Sequence, residues 1–172
     1  MPILPKDRDP RLITIRRGGS LTDDDHRLLA AWAALCAEHV LPLFENAQAN
    51  DLRPRAAIDA GRAWITGAVR MTDARKAAFA ANAAARELPD PARFAALSAG
   101  QAAAVPHVAA HDLGAAAYAI RAARAAARTA EAEEARRRER DWQRQQLPVV
   151  IRGLVLDDQR RRNGICWNAF DD

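Results

Sequence analysis

Between Leu28 and Leu43 the residues Leu28, Leu29, Trp32, Leu35, Cys36, His39, Val40 and Leu43 recur at three- and four-residue steps. That period lays them along one continuous face of a helix, whereas a strand would need a period of two. The start is marked as well. Thr22 is an N-cap candidate, and Asp23, Asp24 and Asp25 place negative charge at the positive end of the helix dipole. Pro42 removes one backbone donor, which predicts a bend near Glu38, whose carbonyl loses its usual partner, and a helix end between Phe44 and Ala49.

The same grammar continues along the chain. Asn50-Asp51 marks a break, and Pro54 suits the first turn of a second helix, with Ile58, Gly61, Ile65, Ala68 and Val69 as its inner stripe and Trp64 at the edge. Thr72-Asp73 predicts the cap of a third helix that carries Phe79 and reaches about Leu88, and Asp90-Pro91 opens a fourth with Phe94 and Leu97 inward. Pro106 predicts a boundary before His107, after which His107, His111, Gly114, Tyr118 and Arg121 fall on one face of a helix reaching about Arg128. Residues 129 to 146 read as a solvated, charge-paired helix, as in Glu133 with Arg137, and Pro148 precedes an amphipathic piece containing Val149, Val150, Leu154, Val155 and Leu156. Residues 1 to 20, with Pro2, Pro5, Pro10 and Arg16-Arg-Gly-Gly19, read as an extended arm ending in a turn. Alanine, the best intrinsic helix former, is the commonest residue. The expectation is an all-α fold: an antiparallel bundle of six or seven helices, with an arm over 1–20, a helical domain over 21–128 and a charged extension over 129–172 packed on that domain.

Charge and cysteine usage narrow the function classes. The net charge of +4 is carried almost entirely by arginine, Lys6 and Lys76 being the only lysines, and arginine is suited to bidentate recognition of carboxylate and phosphate. Aromatic residues are 5% of the chain and no helix interleaves a basic stripe with stacking rings, which disfavours nucleic acid as a partner. Cys36 and Cys166 form no CxxC pair, so neither a zinc site nor a disulfide framework is expected. No secretory leader pattern and no window of about 18 apolar residues is evident, from which a cytoplasmic protein without a membrane partner is expected.

Candidates for chemistry are few. His107 and His111 are four apart, the spacing of two imidazoles on a zinc helix, but Val108 and Ala109 stand where a hydrolytic helix would place glutamate. The plainer reading of these two and of His39 is packing with hydrogen bonds. Glu38, Glu45, Asp59 and Asp112 are the carboxylates available for acid–base work, yet there is no nucleophile elbow and no phosphate loop. No catalytic residue, metal or cofactor is expected. Arg53, Arg55 and Arg62 gather around the second helix with Asp59, either as internal salt bridges or as an anion-binding rim, and with Trp64 they have the composition of an interface hot spot. The candidate binding residues are Glu45, Arg53, Arg55, Asp59, Arg62, Trp64, His39, His107, His111 and Asp112.

Six segments carry a family resemblance: residues 13–19, Leu21-Thr-Asp23, the run from Cys36 to Glu45, Arg53-Pro-Arg55, Arg62-Ala-Trp64 and Ala84-Ala-Arg86. Together they resemble the Imm-5-like immunity protein family from about Ile13 to Arg128 and more weakly to the end, with departures at Pro106 and at Asn82, where a histidine is expected. The resemblance implies an all-helical, alanine-rich bacterial protein, not an enzyme, that binds and neutralises a cognate toxin. The net positive charge fits a nuclease target less well than an acidic surface would. Two alternatives stay open: a metal-binding or hydrolytic helical enzyme centred on His39, His107 and His111, and a structural or self-assembling helical module.

Overall fold

The computed structural model describes residues 3–172, so the arm's Pro2 lies outside the described residues. The chain folds into seven helices of thirteen residues or more and one short turn of helix: α1 (Asp23–Val40), α2 (Pro42–Glu45), α3 (Arg53–Ile65), α4 (Met71–Ala84), α5 (Ala92–Ala104), α6 (Asp112–Ala126), α7 (Ala132–Gln145) and α8 (Val149–Arg162). The all-α bundle read from the sequence is the fold.

Local chemistry sets most of the ends. Thr22 Oγ1 accepts the Asp25 N–H at 3.0 Å, capping α1. Pro42 separates α1 from α2, but the Glu38 carbonyl is not orphaned as the sequence suggested. It accepts the Leu41 N–H at 3.2 Å, because the last turn tightens to three-residue spacing. On α4 the cap falls earlier than Thr72-Asp73: Arg70 is the N-cap residue, and its N–H donates to the Asp73 carboxylate at 3.4 Å. That helix stops at Ala84, short of Leu88, and Glu87 turns the chain with a left-handed φ of 64°. Likewise α3 stops at Ile65, so Ala68 and Val69 lie beyond the inner stripe assigned to them, past a turn at Gly67 with φ 76°.

Helices α5 and α6 form the centre. Ala95, Ala96, Ala99 and Ala103 on one and Ala115, Ala116, Ala117 and Ala119 on the other are wholly buried, and short side chains let the backbones approach. Ser98 Oγ donates to the Ala115 carbonyl at 2.7 Å across the gap. Gly114 leaves room there for the Gln101 side chain, whose Oε1 would lie 2.4 Å from a Cβ and would have to move aside. Helix α1 crosses this pair and α3, burying Leu29, Trp32, Ala33, Cys36 and Ala37, while α4 flanks α3 and α5. Each large apolar side chain removed from water contributes about 1.5–3 kcal/mol. The stretch Asp23–Glu45 is long and apolar enough to cross a membrane by length and composition, which the sequence reading had not recognised; here its apolar face is spent on the core.

Expectations about faces fail in two places, and the extended arm fails with them. Leu35 and His39 sit at the exposed edge of the α1 stripe. Val149 and Val150 are 86% and 72% exposed, the inward residues of α8 being Ile151 and Val155. The arm is not extended: it makes two 3-10 turns, Pro10–Leu12 and Ile15–Arg17, buries Leu12, and pairs Thr14 with Leu21. Gly19 permits this fold-back, since a Cβ would lie 2.0 Å from the Ile13 carbonyl oxygen.

Nor is α7 merely solvated. Arg136, Arg140 and Arg144 fall four apart on one side, the first two buried, and reach carbonyls of the C-terminal tail: Arg136 Nη1 donates to Ala169 O at 3.0 Å and Asp171 O at 2.8 Å, Arg140 to Asp171 O, and Arg144 Nη2 to Phe170 O at 2.9 Å. Glu133 pairs with Arg136 and Arg124, while Arg137 pairs with Glu134.

Candidate functional site

A cleft of about 390 Å³ opens between the folded arm, the start of α1, the end of α3 and the connection from α5 to α6. Each side chain reaches it for a local reason. The Ile15–Arg17 turn presents Arg16 and Arg17. The α1 cap brings in His26 on the first turn, and the end of α3 brings Trp64. Pro106 ends α5 and leaves His107 in a turn, so that His107 is not on the α6 face where the spacing placed it. Arg8 completes the rim, with Leu12, Ile13, Met71 and Val108 among the apolar lining.

The cleft is strongly cationic. Arg16 is held by Asp23 at 2.9 Å, whereas neither Arg8 nor Arg17 has a carboxylate within ion-pairing distance among the described residues. His26 is buried, its Nε2–H donating to the Val105 carbonyl at 2.8 Å, and its ring meets Trp64 at 4.9 Å between centroids with a 59° tilt. Burial, and then the nearby Arg16 and Arg17, hold its pKa below the usual range, although Val105 and Asp23 pull the other way. His107 is lowered too, by desolvation and then by Arg75, Arg17 and Arg8. Its Nδ1 is shielded and has no hydrogen-bond partner among the described residues, which leaves a buried polar atom unsatisfied at the cleft wall. Trp64 also borders a second, smaller hollow with Arg16, Arg27, Arg70 and Asp23, where each of the three arginines is paired with a carboxylate.

The other sequence-flagged residues lie elsewhere. Arg53 pairs with Asp51 at 2.6 Å, Arg55 with Glu45 at 2.6 Å and Arg62 with Glu38 at 2.5 Å, forming internal ion pairs along the edge of α3. Asp59 is exposed there and has no ion pair among the described residues. His39 Nδ1–H donates to Glu139 at 2.8 Å and stacks on Trp142 at 3.7 Å. His111 Nδ1–H donates to Gln101 Oε1 at 2.7 Å, and burial brings its pKa down to about 4, with the positive charge of His107 and Arg162 acting the same way. Asp112 is fully buried beside Arg162. The structure thus brings Trp64 and His107 to one cleft and does not bring His39, His107 and His111 to one centre; among the described residues no three His, Cys, Asp or Glu side chains converge. Sequence reasoning missed His26, Arg8, Arg16 and Arg17. The available signal was the double arginine before two glycines, read only as a turn.

In class the protein is an all-α helical bundle with a cationic, tryptophan-lined cleft. The family model described as Imm-5 like putative immunity protein matches residues 19–150, most of the chain, and the chain belongs to that family. The match begins at Gly19, later than the resemblance read from Ile13, and runs past Arg128 through α7, where the sequence had shown only a weaker resemblance. No curated protein and no solved structure matches the chain.

Proposed function

We propose that this protein neutralises a bacterial toxin by direct protein–protein contact, in the cytoplasm and without catalysis, and that the cleft around Trp64 is the contact surface. The family description supports an immunity role in general terms. The observation that favours this cleft is the juxtaposition of Trp64 with two arginines free of internal carboxylates, Arg8 and Arg17, around the unsatisfied His107 Nδ1. Arginine and tryptophan are the residues that most often dominate binding energy at interfaces, and an uncompensated cation gains most from an acidic partner. The arginines along α3 are weaker candidates, because each must give up a carboxylate before it can take another.

The test is capture and rescue. Purified protein is offered the products of neighbouring genes, and any captured product is expressed with and without it. Rescue of growth is expected, and Arg17→Glu or Trp64→Ala should weaken capture by about 2 kcal/mol or more, the scale of an interface hot spot. If no neighbour is captured and none is rescued, the proposal fails.

A further inference from the structure

Arg121, near the end of α6, is held by rings. Its guanidinium carbon lies 4.0 Å from the centre of Phe94 and 4.1 Å from that of Trp167, with Tyr118 at 5.9 Å. Rings this close hold the guanidinium by its charge and use none of its five N–H donors, which stay available for directional contacts. Among the described residues none of those donors has a hydrogen-bond partner, and no carboxylate lies within ion-pairing distance. Its neighbours are engaged: Arg93 bonds both oxygens of Asp90, at 3.0 and 3.4 Å, and Arg124 takes Glu133 at 2.8 Å. Burial lowers the pKa of Arg121, the direction for a cation partly stripped of water without a full countercharge.

Two further observations mark this as a built feature. Trp167 has a left-handed φ of 58°, a conformation unfavourable for a bulky side chain, and strain of this sort gathers at functional positions. The guanidinium edge also borders a hollow of about 390 Å³ lined by Asp90, Phe94, Arg121, Arg124, Thr129 and alanines that include Ala132. Phe94 opens α5 and Arg121 closes α6, whereas His107 and His111 lie at the other end of that antiparallel pair. This hollow and the cleft are therefore separated by most of a helix, about 15–20 Å.

We propose that the edge of Arg121 is a carboxylate-binding site whose occupant is an acidic side chain of a protein partner. This rests on reading the chain as a binding protein. A carboxylate matches the guanidinium fork with two parallel hydrogen bonds, and the methylene stem of an aspartate or glutamate would lie in the hollow beside its alanines. The aromatic clamp fixes the fork in advance, so little side-chain freedom is lost on binding.

The experiment is a titration of the full chain, with arginine side chains labelled in ¹⁵N, using a terminally blocked hexaglutamate peptide. The Arg121 Nε–Hε signal should move saturably. Arg121→Lys keeps the charge but not the fork, and should weaken binding about ten-fold or more; Arg137→Gln, which removes a charge paired with Glu134 outside the hollow, should change it by less than about two-fold. No shift at Arg121, or unchanged affinity in Arg121→Lys, overturns the proposal. Acetate binding as tightly as the peptide at equal carboxylate concentration would overturn the protein source, and stronger competition by inorganic phosphate would overturn the carboxylate class. The wild-type shifts decide the matter even where a variant unfolds. No toxin enters the titration, so its failure would leave the capture experiment standing.

Discussion

The ion pairs along α3 and the ionic knot between α6 and α8 use the same chemistry with opposite burial. At the edge, Arg62 and Glu38 each keep 39% of their side-chain surface in water. In the knot, Arg162 is 4% exposed, Asp158 3% and Asp112 wholly enclosed. The Arg162 guanidinium grips both oxygens of Asp158, donates to the Ala110 carbonyl at 2.8 Å, and reaches Asp112 Oδ1 at 3.4 Å. An exposed pair trades hydration for attraction at little net gain, while a buried one leaves a stranded charge when either partner is removed. Counting arginines therefore says little about what holds this chain together; their distance from water says more.

The largest expected effect is on the knot. Arg162→Ala strands Asp158 and should cost about 3–5 kcal/mol in denaturant unfolding; a loss below about 1 kcal/mol would erase the contrast with α3.

Next is a pH effect with a definite sign. Burial, with the nearby Asp158 carboxylate, pushes Asp112 up to about 7, while Arg162 and the Leu113 N–H act against the shift. One guanidinium neutralises one of two carboxylates, and Asp112 Oδ2 has no partner among the described residues, so Asp112 keeps its proton at mildly acidic pH. Between about pH 4 and 7 the folded state thus holds more protons at this site than the unfolded chain, and this contribution falls as pH rises. Its neighbour His111, brought down to about 4, works the other way: the unfolded chain takes up the proton first, so stability falls as pH drops from about 6.5 to 4, and the lowered His26 adds to this. Adjacent residues therefore oppose each other. Asp112→Asn should unmask a decline on acidification, and His111→Gln a rise, each of order 1–3 kcal/mol across the window, read from unfolding free energy at several pH values.

The smallest effect is at the edge. Arg62→Ala should cost about 0–1 kcal/mol, shrinking further in high salt. A larger, salt-insensitive loss would move the α3 edge into the same category as the knot.

Much of this was legible in the sequence, and the misses share a cause. Periodicity tells which residues share a face, so the inner face of α1 could be read from Leu29, Trp32 and Cys36, whereas the centre of α5 and α6 could not, because alanine on every side of a helix, as around Ala99 and Ala116, shows no period. Nor does periodicity tell which faces meet. Arg136, Arg140 and Arg144 look like solvent residues until the C-terminal carbonyls they bind are in place, and Val149 looks like core until Ile151 takes that role. Of the cleft, Trp64 and His107 stood out as residues, but their meeting depends on the fold-back of the arm, which is a matter of turns rather than period. His107 and His111 seemed to share a helical face because Pro106 was credited with ending one helix but not with delaying the next to Asp112.

The folded arm carries one consequence for the groove. Arg8, Arg16 and Arg17 all belong to it, while Trp64 lies on α3 and His107 in the turn after α5. One wall is thus a short facing, doubled back at Gly19 and fastened to a separate frame by Leu12, and undoing that fastening would carry all three cations away from the ring together while the beams underneath stay as they are.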